Sequence, residues 1–136
     1  MDGHQRLMTA LNRQLQADSD LSIAEYRILV LLSEAPHRSM RMSELADGVL
    51  SSRSRLTHQI RRLEVENLVR RNTCLEDGRG VIAELTDEGM RRLESAAPGH
   101  VEAVRRDFID LLTPDQLQAI AEVFTRVDRT ISHHTP

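Results

Sequence analysis

Between Ser51 and Gly89 the chain carries an arginine-studded helical stretch, a short strand, a tight turn, a second strand and a new helix start. The helical stretch opens Ser51-Ser52-Arg53-Ser54-Arg55. Leu56, Ile60 and Leu63 then recur at i, i+4 and i+7, so they share one apolar face. Leu68-Val69-Arg70-Arg71 reads as the first strand, Glu76-Asp77-Gly78-Arg79-Gly80 as the turn, and Val81 to Leu85 as the second strand. Thr86-Asp87-Glu88-Gly89 opens the next helix. Helix, hairpin, helix is the order of a winged helix-turn-helix. It sets one helix and one charged hairpin tip on the same side of a small domain. A nucleic-acid duplex offers a major groove to such a helix and a flanking minor groove to such a tip.

Charge is placed to match. Residues 51–73 hold Arg53, Arg55, Arg61, Arg62, Arg70 and Arg71 against Glu64 and Glu66, a local excess of four positive charges. The whole chain has a net charge of −3, so the remainder carries −7. A basic patch on an acidic body suits a protein that meets phosphates on one face only. All 18 basic residues are arginine, which can grip phosphate or guanine as a bidentate fork; genomic base composition accounts for most of that bias. Opposite Leu56, Ile60 and Leu63 lie Ser54, His58, Arg61 and Arg62, with Arg55 and Thr57 on the flanks. An ordinary solvated face mixes both signs of charge, and this one carries almost only donors.

Around this segment the pattern is helical. Leu7, Leu11 and Leu15 recur every four residues and predict a first helix ending near Asp18. Ser22 with Glu25 forms a capping box for a second helix, with Leu29 and Leu32 on its buried face and Pro36 as its stop. Ser39 to Met42 reads as a short extended piece. Ser43 is expected to cap a brief helix to about Val49, with Leu45 and Ala46 in the core and Gly48 permitting a turn. After the hairpin a long helix is expected from near Thr86, interrupted or restarted at Pro98-Gly99, with Val101, Val104, Phe108 and Leu111 continuing its apolar face. Thr113-Pro114-Asp115-Gln116 is a strong helix start. In the last helix Leu117, Ile120, Phe124, Val127 and Ile131 fall at alternating spacings of three and four, a heptad seam. Stripes at both chain ends invite mutual packing and a second copy. A symmetric dimer would present two recognition helices to a two-fold site.

At 136 residues the chain is expected to be one domain, with a lobe at 22–88 and helical dimerisation regions at 1–20 and 100–134. No apolar run is long enough for a bilayer. The start Met-Asp-Gly-His lacks the features of a secretory signal, and Cys74 is the single cysteine, so a cytoplasmic protein is expected. Cys74 reads as an ordinary thiol. His4, His133 and His134 are terminal and match no metal-site spacing. Neither metal nor cofactor is expected. Nor is an enzyme, since the chain lacks a glycine-rich phosphate loop and an ordered nucleophile–base set.

Several motifs together resemble the multiple antibiotic resistance regulator (MarR) family of bacterial transcription factors. They are Met42-Ser43-Glu44-Leu45-Ala46, Ser52-Arg53-Ser54-Arg55-Leu56-Thr57, and Arg61-Arg62-Leu63-Glu64 before Leu68-Val69-Arg70-Arg71. The most telling is Glu76-Asp77-Gly78-Arg79-Gly80 followed by Leu85-Thr86-Asp87-Glu88-Gly89; Leu112-Thr113-Pro114-Asp115-Gln116-Leu117 is a looser match. The resemblance implies a mainly α fold with a small β-wing, a winged helix-turn-helix with N- and C-terminal dimerisation helices. It implies a homodimeric regulator, most often a repressor, on a pseudo-palindromic operator in double-stranded DNA. A small anionic or aromatic effector would alter the spacing of the recognition helices. Ser54, Thr57, His58, Arg61 and Arg62 are the expected groove and phosphate contacts. Ser51, Ser52, Arg53 and Arg55 are expected at the helix N-terminus, where backbone N–H groups favour phosphate. Arg70 and Arg71 are expected to reach the DNA backbone. Arg79 resembles the family's wing-tip arginine and Asp77 its orienting acid. The rival reading is a protein-interaction module that keeps the fold without binding DNA. Acids on the recognition face would favour that reading, and that face has none.

Overall fold

The computed structural model describes residues 2–73 and 80–133. Six helices and a three-stranded sheet follow in the order α1 (Asp2–Ser19), α2 (Ile23–Glu34), β1 (Ser39–Arg41), α3 (Met42–Val49), α4 (Arg53–Val65), β2 (Val69–Thr73), β3 (Val81–Leu85), α5 (Asp87–Asp107) and α6 (Pro114–Ser132). Short 3-10 turns occupy Pro36–Arg38 and Ile109–Leu111. Two compact units result, residues 1–100 and residues 101–136.

In the first unit the core is aliphatic. Ile28, Leu29 and Leu32 of α2 and Leu45 of α3 pack in one cluster with Leu56, Ile60 and Leu63 of α4 and with Leu68, Ala83 and Leu85 of the sheet region. The antiparallel sheet has the order β1-β3-β2, so the hairpin's second strand is central. Its register pairs Met40 and Arg71 with Ala83, and Val69 with Leu85. The buried side chains of Ala83 and Leu85 face the helices.

Local chemistry explains most boundaries. The Ser22–Glu25 capping box is formed, with Glu25 N donating to Ser22 Oγ (3.1 Å) and Ser22 N donating to Glu25 Oε1 (2.9 Å). Thr113 and Gln116 make the same reciprocal pair at the start of α6, with Pro114 in the first turn.

Three expectations are corrected. α3 begins at Met42 after Arg41, and Ser43 lies inside its first turn rather than capping it. The turn after α3 is made by Leu50, at φ 53°, and not by Gly48. Gly48 is helical, and what it permits is close packing, since a Cβ there would meet Leu31 Cδ1 at 3.0 Å. α5 also runs through Pro98 without interruption. The proline lies on the solvent side while Leu93 and Ala96 are buried. Beyond it, His100 Nδ1 meets Gln14 Oε1 at 3.0 Å, and its ring lies 4.7 Å from that of Tyr26. Tertiary anchors on both sides of Pro98 outweigh one missing backbone hydrogen bond. Burial lowers the pKa of His100 below the usual imidazole value and raises that of Tyr26.

The exit from the hairpin is the tightest joint. Thr86 N donates to Leu68 O (3.1 Å). The Thr86 hydroxyl donates to the adjoining carbonyls of Asn67 (2.6 Å) and Leu68 (3.0 Å), and accepts from Gly89 N (2.9 Å). A Cβ on Gly89 would lie 2.6 Å from Leu85 Cδ1 and collide with the Leu68 carbonyl oxygen. Gly89→Ala is therefore expected to cost about 2–3 kcal/mol or more by overpacking against rigid backbone. Urea unfolding measures it, and a variant as stable as the parent would refute the contact.

Candidate nucleic-acid interface

α3 and α4 form the helix-turn-helix. α3 is held from α2 by Arg27, whose Nε and Nη2 donate to Gly48 O at 3.3 and 3.1 Å. α4 is pinned by Leu56, Ile60 and Leu63, each about 1% exposed or less. That anchoring leaves Ser54, Arg55, His58 and Arg61 exposed, with Thr57 half-buried beside them. The amphipathic pattern thus places the expected reading face outward.

The N-terminal turn of α4 is arranged differently from expectation. Ser52 is the N-cap, and its hydroxyl accepts from Arg55 N at 3.2 Å. Ser51 Oγ is buried, and Ser51 N donates to Ala46 O at 3.1 Å as part of the α3 terminus. Ser51 therefore does not present its hydroxyl or amide outward. The Thr57 hydroxyl donates to Arg53 O at 2.8 Å, leaving its oxygen to accept.

The six arginines of 51–73 divide into two sets. Arg53, Arg55 and Arg61 have no acidic partner among the described residues. The other three are paired internally. Arg62 Nε lies 3.4 Å from Glu25 Oε2, and its Nη2 3.3 Å from Asp20 Oδ1. Arg71 grips both carboxylate oxygens of Glu64. Arg70 meets Glu84 Oε1 at 3.2 Å across the hairpin. In the free protein each of these three arginines pairs with an acid of the fold. The Arg70–Glu84 pair follows from the hairpin register, which sets them opposite each other. Arg62–Glu25 is non-local and leaves no trace in local spacing.

Between the start of α4 and the root of the hairpin lies a cleft of about 330 Å³. Arg41, Arg53 and Arg71 line it, with Thr57 and Gly80. Sequence reasoning missed Arg41, which β1 brings there from outside the basic run. Cys74, Asp77 and Arg79 lie outside the described residues, so the wing-tip expectation is neither placed nor altered.

The terminal stripes also separate. Leu11 and Leu15 are buried within one chain and are not available to a second copy; Leu7 is half-buried. On α6, Leu117, Phe124, Val127 and Ile131 are exposed and Ile120 is half-buried. Among the described residues no group of His, Cys, Asp and Glu could hold a metal ion, and no helix is long and apolar enough to cross a membrane.

A helix-turn-helix whose exposed Arg53, Arg55 and Arg61 have no acidic partner among the described residues, set beside a β-hairpin, defines the class of winged-helix DNA-binding proteins. The MarR family model matches residues 21–81. AbsC, a MarR family transcriptional regulator from Streptomyces coelicolor, is 41% identical, with 98% of this chain and 89% of AbsC covered and a TM-score of 0.92. Sco3205, another from the same organism and solved in complex with DNA, is 43% identical, with coverages of 95% and 81% and a TM-score of 0.93. The HTH-type transcriptional repressor YetL of Bacillus subtilis is 30% identical over 114 residues, 82% of this chain and 68% of YetL. The chain belongs to the MarR family and is a DNA-binding transcriptional regulator.

The division of the arginines makes a stability prediction. Arg71→Ala strands a partly buried Glu64 carboxylate and should cost about 1–2 kcal/mol. Arg53→Ala breaks no ion pair and should stay within about 0.5 kcal/mol of the parent. Equal losses in chemical denaturation would contradict the division.

Proposed function

We propose that two copies of this chain bind a pseudo-palindromic operator, each reading one half-site with α4, and that occupancy represses transcription. The uncovered apolar stripe of α6 supports the dimer. Phe124 is 66% exposed and Ile131 61%, on a helix with no buried residue. Such a surface is unfavourable in water and is relieved by a second copy. The exposed polar face of Ser54, His58 and Arg61 supports base reading, with Arg53 and Arg55 at phosphates. Sco3205, similar along most of the chain, was solved with DNA, which supports the same partner here. In this reading Arg79 enters the minor groove, Asp77 orients it, and a small anionic or aromatic effector shifts the spacing of the two α4 helices. The protein acts in the cytoplasm without a cofactor. A protein-interaction module is disfavoured because the face contains no acid.

Sedimentation should give twice the chain mass of 15.5 kDa. Phe124→Asp should return it to one chain or unfold it, since the charge would be buried without a partner. A parent protein that stays monomeric at micromolar concentration would end the two-half-site reading.

DNA fragments selected from the parent genome supply an operator for the second measurement. His58→Ala or Arg61→Ala should reduce preference for it over random duplex by about 1–3 kcal/mol. Arg70→Ala should weaken both duplexes alike. Identical behaviour of the two groups in competition titrations would overturn the assignment of the reading face.

A further inference from the structure

The corner between α1 and α2 is fastened by two arginines from distant parts of the chain. Arg62, in the last turn of α4, sends Nη2 to both the carbonyl (3.2 Å) and the carboxylate (3.3 Å) of Asp20. Its Nε lies 3.4 Å from Glu25 Oε2. Glu25 is 3% exposed, and its other oxygen is taken by the capping box. Arg92 of α5 joins the residue before the corner to the end of α4: its Nη1 donates to Ser19 O and to Glu66 Oε2, both at 3.1 Å. Asp20 itself sits at φ 52°, a strained conformation for a residue other than glycine.

We propose that Arg62 and Arg92 clamp the end of α1 to the recognition helix, and that Arg62 governs DNA affinity as a positioning residue rather than as a phosphate contact. If Arg62 turned outward to a phosphate, the nearly buried Glu25 carboxylate would lose its cation, and a buried unpaired charge is strongly unfavourable. The guanidinium also neutralises the carbonyl end of α1, where the helix dipole is negative. The recognition helix is fixed by apolar contacts along its length, while its C-terminal end is set in angle by this polar joint. A shift of α1 then reaches α4 through Asp20 without passing through the aliphatic core. The inference rests on the DNA-binding reading above.

The test uses full-length parent, Arg62→Ala, Glu25→Gln and the double variant, titrated against the genomically selected operator across a salt series. The clamp predicts that both single variants weaken binding by about tenfold, and that the double variant is no weaker than Arg62→Ala. The slope of log affinity against log salt should match the parent, because no phosphate contact is lost. The Glu25→Gln variant decides the sign: removing a negative charge should tighten binding to a polyanion by simple electrostatics, whereas the clamp requires weakening. A slope reduced by about 0.9 in Arg62→Ala, with Glu25→Gln neutral or tighter, would make Arg62 a phosphate contact and overturn the proposal. Hydrogen exchange on the free protein reads the joint without DNA. The amides of Asp20 and Leu21, bonded to Gln16 O and Leu15 O, should exchange faster in Arg62→Ala. Unchanged exchange there refutes the clamp. A parent protein that selects no DNA refutes the binding reading instead. Asp20→Asn keeps the corner's backbone preference and serves if Arg62→Ala fails to fold; its amides should also exchange faster, and unchanged exchange counts against the clamp.

Discussion

The carbonyl of Leu68 is the point on which the lobe turns. It receives the amide and the hydroxyl of Thr86, and Gly89 exists to leave it room. Leu68 N in turn donates to Leu63 O, in the last turn of α4. The backbone of one residue, through its N–H and its C=O, therefore ties the end of the recognition helix to the base of both wing strands and to the start of α5. The hairpin can face the same side as α4 only because this joint holds it there. A side chain in place of the glycine hydrogen would push α5 off the sheet and disturb the angle between helix and wing.

Much of this was legible in the sequence because the determinants are local. The Ser22–Glu25 and Thr113–Gln116 boxes are written within four residues, and both form as read. β3 begins and ends where its pattern does, and the spacing of Leu56, Ile60 and Leu63 assigned the buried face of α4. The misreadings have non-local causes. Pro98 reads as a breaker, yet anchors on either side of it carry the helix through. Gly48 reads as a turn residue, yet its lack of a Cβ serves Leu31, seventeen positions earlier. Leu11 and Leu15 belong to an apolar stripe, but periodicity cannot say whether a stripe faces its own chain or another.

Charge was the least legible layer. A sum over residues 51–73 treats six arginines as one patch, whereas the fold spends three of them on Glu25, Glu64 and Glu84. The paired and unpaired sets do different physical work. An arginine held by an acid orders backbone and strand edges; one with no acid nearby keeps its field for a ligand. The positive character of the recognition face is thus narrower than the sequence suggests, and is concentrated on Arg53, Arg55 and Arg61. Arg41, supplied by β1, lines the cleft at the wing root.

At five corners among the described residues the usual division of labour between residue types is reversed. Gly3, Gly48, Gly89 and Gly99 all lie within helices, while the left-handed backbone at Asp20, His37, Arg38, Leu50 and Asn67 is borne by residues with side chains. Each such position stores local strain of about 1 kcal/mol. At Asp20 and Asn67 the corner is also wired to its neighbours, through Arg62 and through Thr86. Leu50 is 86% exposed, and its amide donates only back into its own helix, to Asp47 O at 3.3 Å, among the described residues. The helix-turn-helix therefore pivots on a residue whose side chain contributes little to holding the turn shut. Stability of the turn can therefore be changed at this position without touching the core.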